Sequence, residues 1–434
     1  MEKIVISPYL EKIFETQDDF SDWFGYYNYD PFDESHTKML CNRATFDSRS
    51  IEAEDEIELG WYDIPSGEWN HIGNTNSFNW QQGAMLQWVP GQSNKVIYNT
   101  TEGNHYISVL YDIKSAEKKK ICWPIYGLTP NGKKAISLNY ERSYWCRAYH
   151  YQPIINPQYD VSVAEDDGIF SVDLENNSVK RILPIQEVID KDYDPSFTEK
   201  RHWLEHVMIN KEGTRIVFLH RFSGENVYEY STRVMVCDIN GNNLKVVPGW
   251  KENNWSHVGW ITEKSFAVFA VHIGSYSAKY AGKKHSLIYV IAKNIYKKYI
   301  SPILVKSITS KIESGHEYQV YEIGNDQITK IDTFSGNIGA IDGHPSFTVD
   351  GLMITDTYPD KDHFQYLQVY SPVTRKCLEL GRFLAPLEGN PASCDLHPKL
   401  SRNSEFLMVD TAYSGIHHMI LFRLKWKRIK EDLE

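Results

Sequence analysis

The sequence predicts an all-β fold, a seven-bladed β-propeller forming a single domain over residues 1–434, with long loops on blades 3 and 5. Three observations carry this. A leading residue and a β-run recur seven times along the chain, in most units with a turn about seven positions on from the leading residue. Each unit offers about four short strands in roughly 40–50 residues, the period of propeller blades. Clear helix signals between the runs are few.

The units lead with Tyr29 (YDPFDESH), Met85 (MLQWVPGQ), Ile125 (IYGLTPNG), His206 (HVMINKEG), His257 (HVGWITEK), His344 (HPSFTVDG) and His397 (HPKLSRNS). The runs that follow are KMLCNRAT, KVIYNT, KAISLNY, RIVFLHRF, SFAVFAVHI, LMITDTY and FLMVDTAY. Further runs complete each unit, such as RVMVCDINGNNLKVVP with its Asn-Gly turn. The last unit, ending in HHMILFRLKW, is one strand short, and KIVISPY or KIFET at the N-terminus is expected to supply the strand and close the ring. A two-domain β protein is the competing reading of the same runs.

Composition bounds the function. The formal net charge of −11 argues against a general nucleic-acid binder, which needs a basic face. It leaves room for an anionic ligand in a local basic pocket. Six cysteines form no C-x-x-C pair, which suits reduced thiols. The first twenty residues carry acids where a signal peptide needs an apolar stretch, so a cytoplasmic location is expected.

Four of the seven leading positions are histidine, although the chain has only 16. In a propeller the start of the first strand and the loop after the second lie on one face, so His206, His257, His344 and His397 are expected around one channel mouth. A single strand-end histidine is usually structural; a set on one face points to a metal or acid–base site. The long loops 140–168 and 220–233 fall on that face and bring Arg142, Arg147, Tyr149, Arg221 and Arg233. Any one of these arginines is as easily a solvated loop charge. Long loops in compact domains usually serve function or are disordered. The insertion at 275–315 interleaves Lys with Ile, Leu, Val and Tyr. That pattern suits an amphipathic helix packed on the propeller flank, docked on a protein partner or lying on a membrane surface.

WLEHVMINKEGTRIVFLHR, RVMVCDINGNN with WSHVGW, GHPSFTVDG and CDLHPKLSR together resemble the oligogalacturonate lyase family, cytoplasmic seven-bladed propellers with a divalent metal in the channel mouth. The N-terminal half is closer to uncharacterised propeller relatives. The resemblance implies a catalytic base at His257 and a substrate-carboxylate arginine at Arg233, 24 positions earlier. It implies metal ligation by His344 and His397, with Asp395 standing where the family has a second histidine. One divalent ion is then expected on His344 and His397 with Asp395 or His206. Imidazole nitrogens with a carboxylate suit Mn²⁺, the ion expected, with Ca²⁺ or Zn²⁺ as alternatives. The family's glutamine position is Ala392, a departure. Arg142, Arg147, Tyr149 and Arg221 are then substrate-binding candidates. The expected activity is β-elimination on an acidic, uronate-containing oligosaccharide. The alternative is a non-catalytic propeller that binds a glycan or protein partner. A prolyl-oligopeptidase-like propeller is disfavoured, because no G-x-S-x-G nucleophile elbow follows.

Overall fold

Seven antiparallel sheets follow one another along the chain. The computed structural model describes residues 2–142, 154, 161–226, 229–273, 315–339 and 341–434. The predicted insertion at 275–315 lies, but for its last residue, outside the described residues, as do Arg147 and Tyr149.

Blade 1 comprises Ser21–Trp23, Lys38–Ala44, Ile57–Asp63 and Trp69–Thr75; blade 2, Gln87–Trp88, Lys95–Glu102, His105–Asp112 and Lys118–Ile121. Blade 3 comprises Gly127–Leu128, Lys134–Ser137, Gly168–Asp173 and Ser178–Pro184; blade 4, Arg201–Ile209, Arg215–Ser223, Tyr230–Asp238 and Lys245–Val246. Blade 5 comprises Asn253–Trp260, Ser265–His272, His316–Ile323 and Ile328–Phe334. Blade 6 comprises Ser346–Phe347, Met353–Thr355, Phe364–Tyr370 and Cys377–Leu384.

Blade 7 has three strands from the C-terminal end: Lys399–Leu400, Phe406–Thr411 and His418–Leu424. Leu10–Glu15, which contains most of KIFET, pairs with His418–Leu424 as its outer strand. The ring is thus closed by joining the two ends of the chain. KIVISPY goes elsewhere: Ile4–Ile6 adds a fifth strand to blade 6 against Cys377–Leu384. Trp426–Leu433 forms a short helix whose Ile429 and Leu433 are buried beside blades 6 and 7. Among the described residues no helix is long and apolar enough to cross a membrane.

The second strands show why the runs read as they do. In Arg215–Ser223, Ile216 and Phe218 pack into the core shared with blade 3, while Val217 and Leu219 pack into the core shared with blade 5. A strand between two blades buries both faces, so its sequence is apolar throughout rather than alternating with polar residues.

A polar residue near the end of the second strand ties one blade to the next. Asn42 accepts the Ala84 N–H at 3.1 Å, and Asn99 accepts the Ile125 N–H at 2.8 Å. Asp356 accepts the His397 N–H at 2.9 Å. Asp410 accepts the N–H groups of Phe24 and Gly25 at 2.9 and 3.0 Å, spanning the closure between blades 7 and 1. These contacts satisfy buried backbone donors that the short inner strands leave unpaired.

Candidate active site

The inner strands of blades 4 and 5 shift register at their histidines, between Glu205 and Met208 and between Trp255 and Val258. Bulges of this kind re-aim side chains and often lie beside functional sites. His206 and His397 adopt φ of 52° and 42°, and Met85 takes the same left-handed conformation at the matching point of blade 2. For residues other than glycine that conformation is strained and must be held by its surroundings.

The result is a closed ring of five side chains. Tyr26, His206, His257, His344 and His397 follow one another with centroid separations of 5.3, 5.7, 4.2 and 4.2 Å, and 5.2 Å from His397 back to Tyr26. Tyr27 packs beneath it, 5.1 Å from His344, and donates its hydroxyl to Val258 O at 2.7 Å. Tyr27 also lines the cavity at the other end of the channel, so it separates the two mouths. Above the ring is a cavity of about 530 Å³, whose walls include Arg221, Tyr230, Tyr358, Gln81 and Glu388.

Blade 1 reaches the ring by an unexpected route. Tyr29 sits at the opposite mouth, where it lines the cavity beyond Tyr27. The reason is an extended connection between Ser21–Trp23 and Lys38–Ala44 that dips into the channel and presents Tyr26 instead. Gly25 makes the dip feasible: its φ is 118°, and a Cβ there would meet the Gln82 backbone at 2.6 Å.

His344, Asp395 and His397 bring three potential ligand atoms within 4.8 Å of one another, a triad able to hold a metal ion. Asp356 accepts from His344 Nδ1, with its two oxygens at 2.9 and 3.0 Å, and also from the His344 N–H at 2.7 Å. That leaves Nε2 of His344 to act as the ligand, an arrangement typical of metal-binding histidines. His397 Nε2 is buried without a hydrogen-bond partner among the described residues, as a metal-ligating nitrogen would be. Burial, then the charge of His344, pushes the pKa of His397 well below its usual value and keeps it neutral. Burial opposes charge on His344 as well, but Asp356 outweighs it and raises that pKa. Burial raises Asp395 to about 6, against the pull of His344. The donor set of two imidazoles and one carboxylate fits Mn²⁺ or Zn²⁺, and an oxygen-rich completion would suit Ca²⁺.

His206 is not part of this triad. Its Nδ1 is hydrogen-bonded to the Tyr26 hydroxyl and its Nε2 lies 3.4 Å from Glu205. Burial, eased by Glu205, lowers its pKa to about 3. His257 Nδ1 lies 3.1 Å from Asp342 Oδ1. Burial depresses the His257 pKa despite the opposing charge of Asp342, so its imidazole is neutral at pH 7.

The arginines separate. Arg221 lines the cavity, ion-paired to Glu205 through Nη1 and stacked over Tyr230 at 4.4 Å, while its buried Nε has no hydrogen-bond partner among the described residues. Arg233 does not reach the cavity. It is fully buried and gives its donors to Lys191 O, Val188 O and His220 Nδ1. Cross-strand register explains the difference: Arg233 pairs with His220, and Arg221 with Thr232, so the two arginines point to opposite faces of blade 4. Arg142 is also buried, bonded to the carbonyls of Val161, Ser162 and His202. Ala392 is packed in the core shared by blades 1, 2 and 7 and offers no ligand atom.

Sequence reasoning missed Tyr26, Glu205, Asp342 and Asp356. Asp356 carried a signal: LMITDTY and FLMVDTAY place Asp356 and Asp410 at matching points. Tyr26 and Asp342 carried none, because each lies in a connection that departs from the repeat.

No family model and no curated protein sequence matches this chain. Solved structures do. An oligogalacturonate lyase from Vibrio parahaemolyticus aligns over 96% of this chain and 95% of its own, with a TM-score of 0.59 and 13% identity. An oligogalacturonate lyase in complex with manganese aligns over 96% and 93%, with a TM-score of 0.59 and 14% identity. The tricorn protease covers 97% of this chain but only 34% of its own, at a TM-score of 0.51 and 13% identity. The chain is therefore a seven-bladed β-propeller, similar in fold along nearly its whole length to structures that include two oligogalacturonate lyases.

Proposed function

We propose that the protein is a lyase that cleaves a uronate-containing oligosaccharide by metal-assisted β-elimination. The observation that carries this reading is the convergence, in one cavity, of the His344–Asp395–His397 triad with a neutral His257 and with Arg221. A uronate C5 proton is weakly acidic because the adjacent carboxylate is already negative. A divalent ion at the triad would stabilise the charge that builds on that carboxylate as the proton leaves. Arg221, which lines the cavity, would hold the same or a neighbouring carboxylate. His257 accepts the C5 proton, and the C4 glycosidic oxygen departs. The manganese named with one structural neighbour favours Mn²⁺. The free thiols Cys41, Cys122, Cys237, Cys377 and Cys394 suit a reducing, cytoplasmic location.

Elemental analysis of protein purified without chelators tests the metal. Wild type is expected to carry about one divalent ion, while His344→Ala and His397→Ala lose it. Metal absent from wild type after soaking in Mn²⁺, Ca²⁺ and Zn²⁺ would remove the triad from the account. Arg221→Lys should lower kcat/KM about tenfold or more, since an ammonium keeps the charge beside Glu205 but not the planar fork. Arg233→Met should instead lower thermal stability and leave KM unchanged; a KM effect at Arg233 with none at Arg221 would reverse the two assignments.

A second reading, a propeller that binds glycans without cleaving them, is favoured by Ala392. In that case the triad would anchor an acidic glycan, and wild type would bind uronate oligosaccharides without producing unsaturated ends.

A further inference from the structure

We infer that Asp342 is a positioning residue that sets His257 as proton acceptor, an inference that rests on the elimination reading above. An imidazole removes a proton only through a nitrogen carrying a lone pair, so the tautomer decides which ring atom works. Asp342 Oδ1 stands 3.1 Å from His257 Nδ1. Oδ2 already accepts from the Ser256 hydroxyl, and Oδ1 is the carboxylate oxygen that accepts from the ring, so Nδ1 bears the hydrogen and Nε2 the lone pair.

The carboxylate is itself held. Its Oδ2 accepts the Ser256 hydroxyl at 2.6 Å, and the Asp342 carbonyl accepts the Tyr358 N–H at 2.9 Å. Ser256, His257, Asp342 and Tyr358 all line the cavity. Asp356 supports His344 in a similar way, but Asp356 is fully buried and also accepts the His344 and His397 backbone N–H groups. Asp356 therefore serves the triad, whereas Asp342 faces the cavity and serves His257.

In the step itself the C5–H bond breaks and the proton goes to His257 Nε2. The electron pair becomes the C4=C5 double bond, and the C4–O bond breaks with its pair retained on oxygen, which takes a proton from water. The imidazolium so formed keeps Nδ1–H directed at Asp342, whose negative charge stabilises it.

Asp342→Asn tests the role, because a side-chain amide can turn its NH₂ toward Nδ1 and impose the opposite tautomer. On a uronate oligosaccharide that wild type cleaves, Asp342→Asn should lower kcat about 10²–10⁴-fold. KM and bound Mn²⁺ should be unchanged, and the C5-deuterium isotope effect should rise as proton transfer becomes limiting. Asp342→Glu should recover part of the rate, and Ser256→Ala should cost about fivefold, the worth of one ordinary hydrogen bond. An Asp342→Asn variant that keeps wild-type kcat, or that loses rate only in step with lost Mn²⁺, overturns the inference. Nitrogen NMR of histidine-labelled, Ca²⁺-loaded protein, with His257 assigned through His257→Gln, reads the tautomer without substrate. Nδ1–H at His257 supports the inference and Nε2–H overturns it. Absence of unsaturated product from wild type defeats the elimination reading instead, and the NMR result still decides whether Asp342 sets the tautomer.

Discussion

Replacing His257 with alanine is expected to lower turnover of a uronate oligosaccharide by about 10²–10⁴, the range for losing a positioned general base. Three features set that expectation. The ring is buried among His206, His344 and Tyr27, so it is held rather than free to swing. Burial keeps it neutral and able to accept a proton. It lines the same cavity as the three potential metal ligands. Substrate binding should survive, because the carboxylate grip is assigned to Arg221. Steady-state kinetics by unsaturated-uronate absorbance, with circular dichroism to confirm folding, is the check. Full turnover in the folded variant would take His257 out of the chemistry.

The largest stability effect is expected at the closure of the ring. Asp410 accepts from Lys399 Nζ at 2.6 Å, with both side chains buried, and also holds the Phe24 and Gly25 N–H groups. Asp410→Ala would strand a buried ammonium and two backbone donors. Removing one partner of a buried ion pair costs about 3–5 kcal/mol, chiefly because the other charge is left uncompensated. Adding Lys399→Met to the same protein should recover much of the loss, since the stranded charge is gone. Denaturant unfolding of the two variants tests this. A single variant as stable as wild type would show that the closure does not depend on Asp410.

The fold was legible because every second strand repeats the same demand. A strand buried between two blades must be apolar on both faces, and the turn before it keeps a fixed distance from the leading residue. That spacing brought His257, His344 and His397 to one mouth, and CDLHP placed Asp395 beside them. What was not legible followed local physics instead. In blade 1 the extended connection sends Tyr29 to the far mouth and Tyr26 to the near one, which spacing from the turn cannot reveal. The choice between Arg221 and Arg233 turned on strand parity, where a shift of one residue reverses the face. His206 matched the other histidines in position, yet the neighbouring Glu205 and Tyr26 engage both its nitrogens.

In the proposed reaction the metal and His257 act together on a uronate. The most direct measurement is unsaturated-uronate absorbance over a panel of uronate oligosaccharides, using Mn²⁺-loaded wild type before and after chelation. Absorbance is expected to grow with at least one oligosaccharide, fall to background on chelation and return when Mn²⁺ is restored. Binding of the same oligosaccharides by metal-loaded protein with no absorbance change across the panel would contradict it.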